Sequence, residues 1–188
     1  METTKKENLQ ARFDAAKALK PASSNPPSIK ELVEGSSFLF EDNIYVVKNV
    51  FKYTELKKKK TKLGDSWNEL ELFNIDTGET KYMEVEEDDE VLVYFTDEFG
   101  IKLRQYQLNG DSLEELVDNE GQIDNIFYED DYEARFERNG KEEDLWIMEF
   151  ETGSKWLCVE GWEKGDDEYS YEVSLGRCLK ASLFTILN

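Results

Sequence analysis

Two stretches of this chain follow one plan, and that plan restricts the fold to sheets. Trp67-Asn68-Glu69-Leu70-Glu71-Leu72 leads to Thr77-Gly78 and on to Tyr82-Met83-Glu84-Val85-Glu86. Trp146-Ile147-Met148-Glu149-Phe150-Glu151 leads to Thr152-Gly153 and on to Trp156-Leu157-Cys158-Val159-Glu160. Each reads as a strand, a Thr-Gly turn and a second strand. Upstream, Phe40-Glu41-Asp42-Asn43-Ile44-Tyr45 resembles Tyr128-Glu129-Asp130-Asp131-Tyr132. Two copies of such a unit can stack and share one core.

The remaining segments fit around this pair. Residues 1–27 read as a flexible basic arm, with a short helix over 5–20 and a Pro/Ser linker at 21–27. Ser28-Ile29-Lys30-Glu31 is a capping-box pattern that predicts a helix over 28–34, with Gly35 ending it. Ile44–Val47 and Val50–Tyr53 form one strand, which runs into a lysine-rich hairpin loop at 57–65. Val91–Phe95 and Ile101–Tyr106 predict a further hairpin connected by Thr96–Gly100. Ser112-Leu113-Glu114-Glu115 opens a predicted helix over 112–118. Leu179–Leu187 reads as a final strand. The expected division is therefore 1–27 as arm, 28–110 as first β unit with an inserted hairpin, and 111–188 as second β unit. Residues 28–188 would form one body. The fold class predicted is mainly β, a small antiparallel barrel or sandwich with short helices. One wet sheet face would accommodate the many carboxylates that alternate with apolar residues.

Charge narrows the range of partners. The chain carries 23 Lys and Arg against 43 Asp and Glu, a net charge of −20 over 188 residues. Residues 1–63 balance at +5 and residues 64–188 at −25. The acidic part repels nucleic acid and anionic membrane surfaces, so direct nucleic-acid binding by it is not expected. Aromatics reach 13%, which separates the chain from acidic disordered proteins. No signal-peptide pattern and no run of apolar residues long enough for a spanning helix are present, so a cytoplasmic protein that is not transmembrane is predicted. Cys158 and Cys178 then read as buried free thiols.

At this point the chain resembles a bacterial family, domain of unknown function 4178. The resemblance rests on Leu32-Val33-Glu34-Gly35, Ile44-Tyr45-Val46-Val47 and Trp67-Asn68-Glu69-Leu70 in the first half. In the second half it rests on Trp146, Trp156-Leu157-Cys158-Val159-Glu160 and Tyr171–Arg177. It covers roughly residues 32–180, and the first copy departs from it with Tyr82-Met83 and the lysine loop. The resemblance implies a β-rich cytoplasmic protein without assigned activity, in some cases beside membrane-stress proteins or polyamine-synthesis enzymes. It brings no catalytic residues.

The absence of His removes most catalytic arrangements and His-ligated metals. No cofactor or metal site is expected. The acidic clusters 86–90, 129–131, 142–144 and 166–168 read as solvated turn tips. Two arrangements fit the repeated Trp and Glu positions. In the plainer one the Trp residues fill the core and the Glu residues alternate outward. In the other, Trp67, Glu69, Glu84, Trp146, Glu149, Trp156, Glu160 and Trp162 face a pseudo-symmetric cleft, suited to a polyamine or another cationic ligand such as a Lys-rich peptide. Lys57, Lys58, Lys59, Lys60 and Lys62 form a candidate basic contact loop. The function expected is a non-catalytic interaction module with a protein partner, either a basic surface or a membrane-stress component. The alternative is an acidic nucleic-acid mimic that occupies a basic protein. An enzyme working with carboxylates alone is the outsider.

Overall fold

A computed structural model describes residues 28–57, 60–87, 90–98, 122–123, 126–165 and 168–187. The strands follow in chain order as β1 (Ser37–Phe40), β2 (Asn43–Lys57), β3 (Lys62–Asn74), β4 (Thr80–Glu87), β5 (Val91–Glu98), β6 (Gln122–Ile123) and β7 (Ile126–Arg138). They continue as β8 (Lys141–Thr152), β9 (Lys155–Gly165), β10 (Glu168–Lys180) and β11 (Thr185–Ile186). All pairings are antiparallel, in the order β11-β1-β2-β3-β4-β5-β10-β9-β8-β7-β6, with β2 also paired to β7. That last pairing turns the sheet into a ring: two four-stranded meanders, β2–β5 and β7–β10, joined by seams at β2–β7 and β5–β10. The mainly β, barrel-like reading holds.

Local chemistry sets the turns. Glu41 and Asp42 between β1 and β2 both take positive φ, 47° and 64°, and so do Asn139 and Gly140 between β7 and β8, 54° and 73°. Two successive left-handed residues match the right-handed twist of a tight hairpin, and Asn-Gly adopts them at little cost. Gly78 and Gly153 supply positive φ at the two Thr-Gly turns. The first of these is the longer. There the buried Asn74 accepts the backbone N–H groups of Asp76 and Thr77 at 2.9 and 3.2 Å through Oδ1, closing an Asx turn.

Alternation assigns the faces, and four apolar clusters result among the described residues, the smallest around Ile44 and Val46. One covers the outward face of the first meander: Leu70, Leu72, Met83, Val93 and Phe95 pack with Phe38, Phe40 and Phe184. A second lies on the outward face of the other meander, around Phe150, Leu157, Val159 and Val173. The third draws on strands from both meanders, including Phe51, Tyr53, Ala134, Leu145, Ile147, Trp156 and Cys158, and lies inside the ring.

Several expectations change. The segment predicted as a helix over 28–34 is a single 3-10 turn, Ile29–Glu31, because Leu32 is already extended. Glu31 still accepts the Ser28 N–H at 3.0 Å, as the capping box requires. Of the hairpin expected between 91–95 and 101–106, the first strand forms as part of β5 and the second lies outside the described residues. Leu92–Phe95 are paired on one side with β4 and on the other with β10, so both edges are taken. Leu179–Leu187 is not one strand. β10 ends at Lys180, a 3-10 turn spans Ala181–Leu183, and β11 moves across to pair with β1. The arm at 1–27 and the helix predicted at 112–118 lie outside the described residues.

The match of Tyr45 with Tyr132 also shifts. Tyr45 belongs to the outward cluster, where it packs 5.5 Å from Phe38 and 5.4 Å from Phe95, whereas Tyr132 packs against the ring interior. The residue standing where Tyr132 stands is Tyr53. Tyr53 lies opposite Trp67 on β3, as Tyr132 lies opposite Ile147 on β8. A register shift between Val47 and Asn49 re-aims β2 before Tyr53 is reached.

Candidate functional site

The side chains of interest lie inside the ring. On β3 and β4 the outward positions are Leu70, Leu72 and Met83, so strict alternation sends Trp67, Glu69, Tyr82 and Glu84 inward. On β8 and β9 the same rule sends Leu145, Ile147 and Glu149 inward with Trp156, Cys158, Glu160 and Trp162. The polar face of the hairpins therefore does not look to water, as the wet-face reading expected. It looks into the ring.

Rings and phenols line this interior. Trp67 stacks on Tyr53 at 5.4 Å and meets Tyr132 edge-on at 5.7 Å, across the two meanders. Tyr94 packs 5.4 Å from Trp156, and Phe136 meets Trp162 edge-on at 5.3 Å. Tyr53 Oη donates to Glu160 Oε1 at 2.9 Å and lies 3.4 Å from Glu69 Oε2. One phenol thus touches carboxyls of β3 and β9, strands that are not neighbours in the sheet. Tyr132 is the corresponding partner of Glu149.

Four carboxyls converge here. Glu69 and Glu84 are directly opposite in the β3–β4 register, and Glu160 stands opposite Glu172 in β9–β10. By surface area each of the four is half-buried. Burial is the main reason that Glu69 and Glu84 are held well above the usual carboxyl range, and the neighbouring Glu160 and Glu69 charges respectively come next. Burial also lifts Glu149 to about 7, with Glu86 adding to it and Tyr132 and Trp156 opposing. Glu160 rises to about 7 through burial, opposed by the Tyr53 hydroxyl. Among the described residues, no Lys or Arg forms an ion pair with any of these four. The indole N–H groups of Trp156 and Trp162 are buried and reach no acceptor with hydrogen-bond geometry, although they favour the ionised forms of Glu149 and Glu160.

Seven of the eight cleft residues named from the sequence therefore share the ring interior: Trp67, Glu69, Glu84, Glu149, Trp156, Glu160 and Trp162. Trp146 does not. It sits on the outward face, donates from Nε1 to Asp131 Oδ2 at 3.2 Å and meets Tyr171 edge-on at 6.4 Å. Its neighbour Ile147 occupies the place that Trp67 has in the first meander, because Glu149 rather than Met148 stands where Glu69 does. The sequence reading missed the interior phenols Tyr53, Tyr82, Tyr94 and Tyr132. Their signal was parity with the Glu positions along each strand.

The lysine loop is partly engaged. Lys57 pairs with Glu55 at 2.9 Å, and Lys62 is exposed at the start of β3. Lys60 reaches Asp144 at 3.5 Å and Glu163 at 3.7 Å on the second meander. These two acids, with Glu143 and Trp162, line an open recess of about 260 Å³. Lys58 and Lys59 lie outside the described residues.

Among the described residues no group of three Asp, Glu or Cys side chains could hold a metal ion, and no helix is long and apolar enough to cross a membrane. Compared with protein-family models, curated proteins and solved structures, the chain matches none.

Proposed function

We propose that this protein is a non-catalytic binding module whose ring interior takes a small linear polyammonium ion of the polyamine type. The observation that carries the reading is the convergence of Glu69, Glu84, Glu149 and Glu160 among Tyr and Trp rings, with no Lys or Arg of the described residues paired to them. Carboxylates balance ammonium charge, and aromatic faces attract it further once water is displaced. An elongated cation with several N–H donors suits carboxyls spread over four strands. An eight-stranded ring has room for side chains or one small ligand, which favours a polyamine over a folded basic partner. The resemblance to the bacterial family and the cytoplasmic location are part of the same proposal, as is a protein partner that reads the occupied state.

The test is tryptophan fluorescence during spermidine titration. Binding should quench emission, and Glu84→Gln and Glu160→Gln should each weaken affinity by about tenfold or more, the equivalent of about 1.4 kcal/mol. Trp146→Phe, on the outward face, should leave affinity unchanged. A response that survives both Glu substitutions, or that disappears in moderate salt as exposed charge pairs do, would place any bound cation on the acidic surface.

A further inference from the structure

Resting on the cation-binding reading, we infer that the ring interior exchanges protons for its ligand: the empty ring keeps its carboxyls protonated, and an entering ammonium ion displaces those protons. Geometry requires something of this kind. Glu69 and Glu84 stand directly opposite each other on adjacent strands, where two anions repel. The Tyr53 hydroxyl lies within reach of both Glu69 and Glu160, but a phenol has a single proton to give. No described Lys or Arg pairs with the cluster, so in the empty ring protons are the available neutralising charge.

A second, independent observation points to the occupied state. Trp156 is only 4% exposed, and its buried indole N–H lacks an acceptor of proper geometry. It points at the ring interior beside Glu149, whose ionised form it favours. A buried donor without an acceptor costs free energy. A bound ammonium that draws the Glu149 carboxylate into line with this N–H would complete the bond, so the orphan donor is one that ligand entry satisfies.

The other groups facing the cluster do not replace the ligand. From β2, β4, β5 and β7 come the phenols of Tyr53, Tyr82, Tyr94 (directly opposite Glu84) and Tyr132, and from β9 the thiol of Cys158, all pushed upward by burial and so neutral. Glu71, Glu86, Asp130 and Glu172 add only negative charge around the four. Arg138 acts on Tyr82 and holds its guanidinium over the Phe51 ring at 5.0 Å. In the exchange, each carboxyl O–H bond breaks and its proton passes to solvent. An ammonium N–H then donates to the oxygen left behind, so charge inside the ring stays balanced.

Isothermal titration of the full chain with spermidine, near neutral pH and in two buffers of different ionisation enthalpy, tests this directly. The apparent binding heats should differ in proportion to the buffer heats, with at least about one proton released per ligand bound. Affinity should tighten by roughly tenfold between about pH 6 and about pH 8 as the protons to be displaced become fewer. Binding with equal heats in both buffers and a flat pH profile would overturn the exchange and leave the cation-binding reading standing. No binding by a chain with an intact circular-dichroism spectrum would overturn both.

Discussion

Arg177 grips Asp97 through two parallel hydrogen bonds, Nε to Oδ2 at 2.6 Å and Nη2 to Oδ1 at 2.7 Å. The same guanidinium reaches Glu41 in the β1–β2 turn at 2.6 and 3.1 Å and lies over the Phe40 ring at 5.4 Å. It therefore ties β10, β5 and the turn after β1 together where the first outward cluster closes. Replacing it with Met, which keeps the stem but not the fork, should cost about 1–3 kcal/mol in urea unfolding. Glu41→Gln, at a more exposed partner, should cost less, about 0–1 kcal/mol. Equal losses for the two would show that Asp97 contributes nothing.

The β5–β10 seam depends on a glycine. A Cβ on Gly176 would lie 2.2 Å from the Phe95 carbonyl oxygen, at the point where the register shifts between Leu175 and Gly176. The atom in the way is backbone and cannot rotate aside. Gly176→Ala should thus destabilise the protein by about 1–3 kcal/mol, as overpacking does, whereas Gly153→Asn at an open turn should be nearly neutral. Chemical denaturation of the two variants side by side gives the comparison.

The ring acids make stability depend on pH with a definite sign. Glu149 and Glu160 rise from the ordinary 4.5 to about 7 in the fold, so the native state holds protons that the unfolded chain has lost. Below the ordinary value both states are protonated and no penalty applies. Stability should fall as pH rises from about 4.5 to about 7, by a few kcal/mol from Glu149 and Glu160. It should go on falling above that as Glu69 and Glu84, held well above the usual carboxyl range, lose their protons in turn. Urea midpoints across this range measure it. Midpoints that climb steadily instead would mean that the lowered acids Glu31, Glu41 and Asp144 dominate.

Tyr53→Phe separates the hydroxyl from the ring. The Tyr53 hydroxyl favours ionised Glu160, so its loss should move the Glu160 part of that pH transition to higher pH. At a fixed acidic pH the variant should lose only about 1 kcal/mol, the net worth of one hydrogen bond. An unmoved transition would show that Glu160 does not titrate in this range.

Much of this architecture is legible in the chain. The Thr-Gly turns and the alternation around Leu70, Leu72, Leu157 and Val159 place β3, β4, β8 and β9, because local turn chemistry and period-two patterning act over a few residues. The Asn139-Gly140 hairpin carries an equally strong local signal. The seams are different. The pairs Tyr53–Phe136 and Tyr94–Cys178 join residues far apart in sequence and leave no local trace. Alternation also does not say which face goes inside, since a one-residue shift exchanges the faces entirely. That is why Trp67 and Trp146, alike in sequence context, end on opposite sides of the wall, and why carboxylates read as solvated turned inward.

The two seams also carry a kinetic consequence. Each meander can assemble from hairpins of neighbouring strands, but Lys52–Glu137 and Leu92–Lys180 can pair only after both meanders exist. Loops this long are entropically slow to close, which puts ring completion late in folding. Glu69 and Glu84 belong to one meander, Glu149 and Glu160 to the other, so the full repulsion among them is felt only as the last seam zips. Protons, or a cation standing in for them, then act less as ballast for the finished ring than as a gatekeeper for its final step.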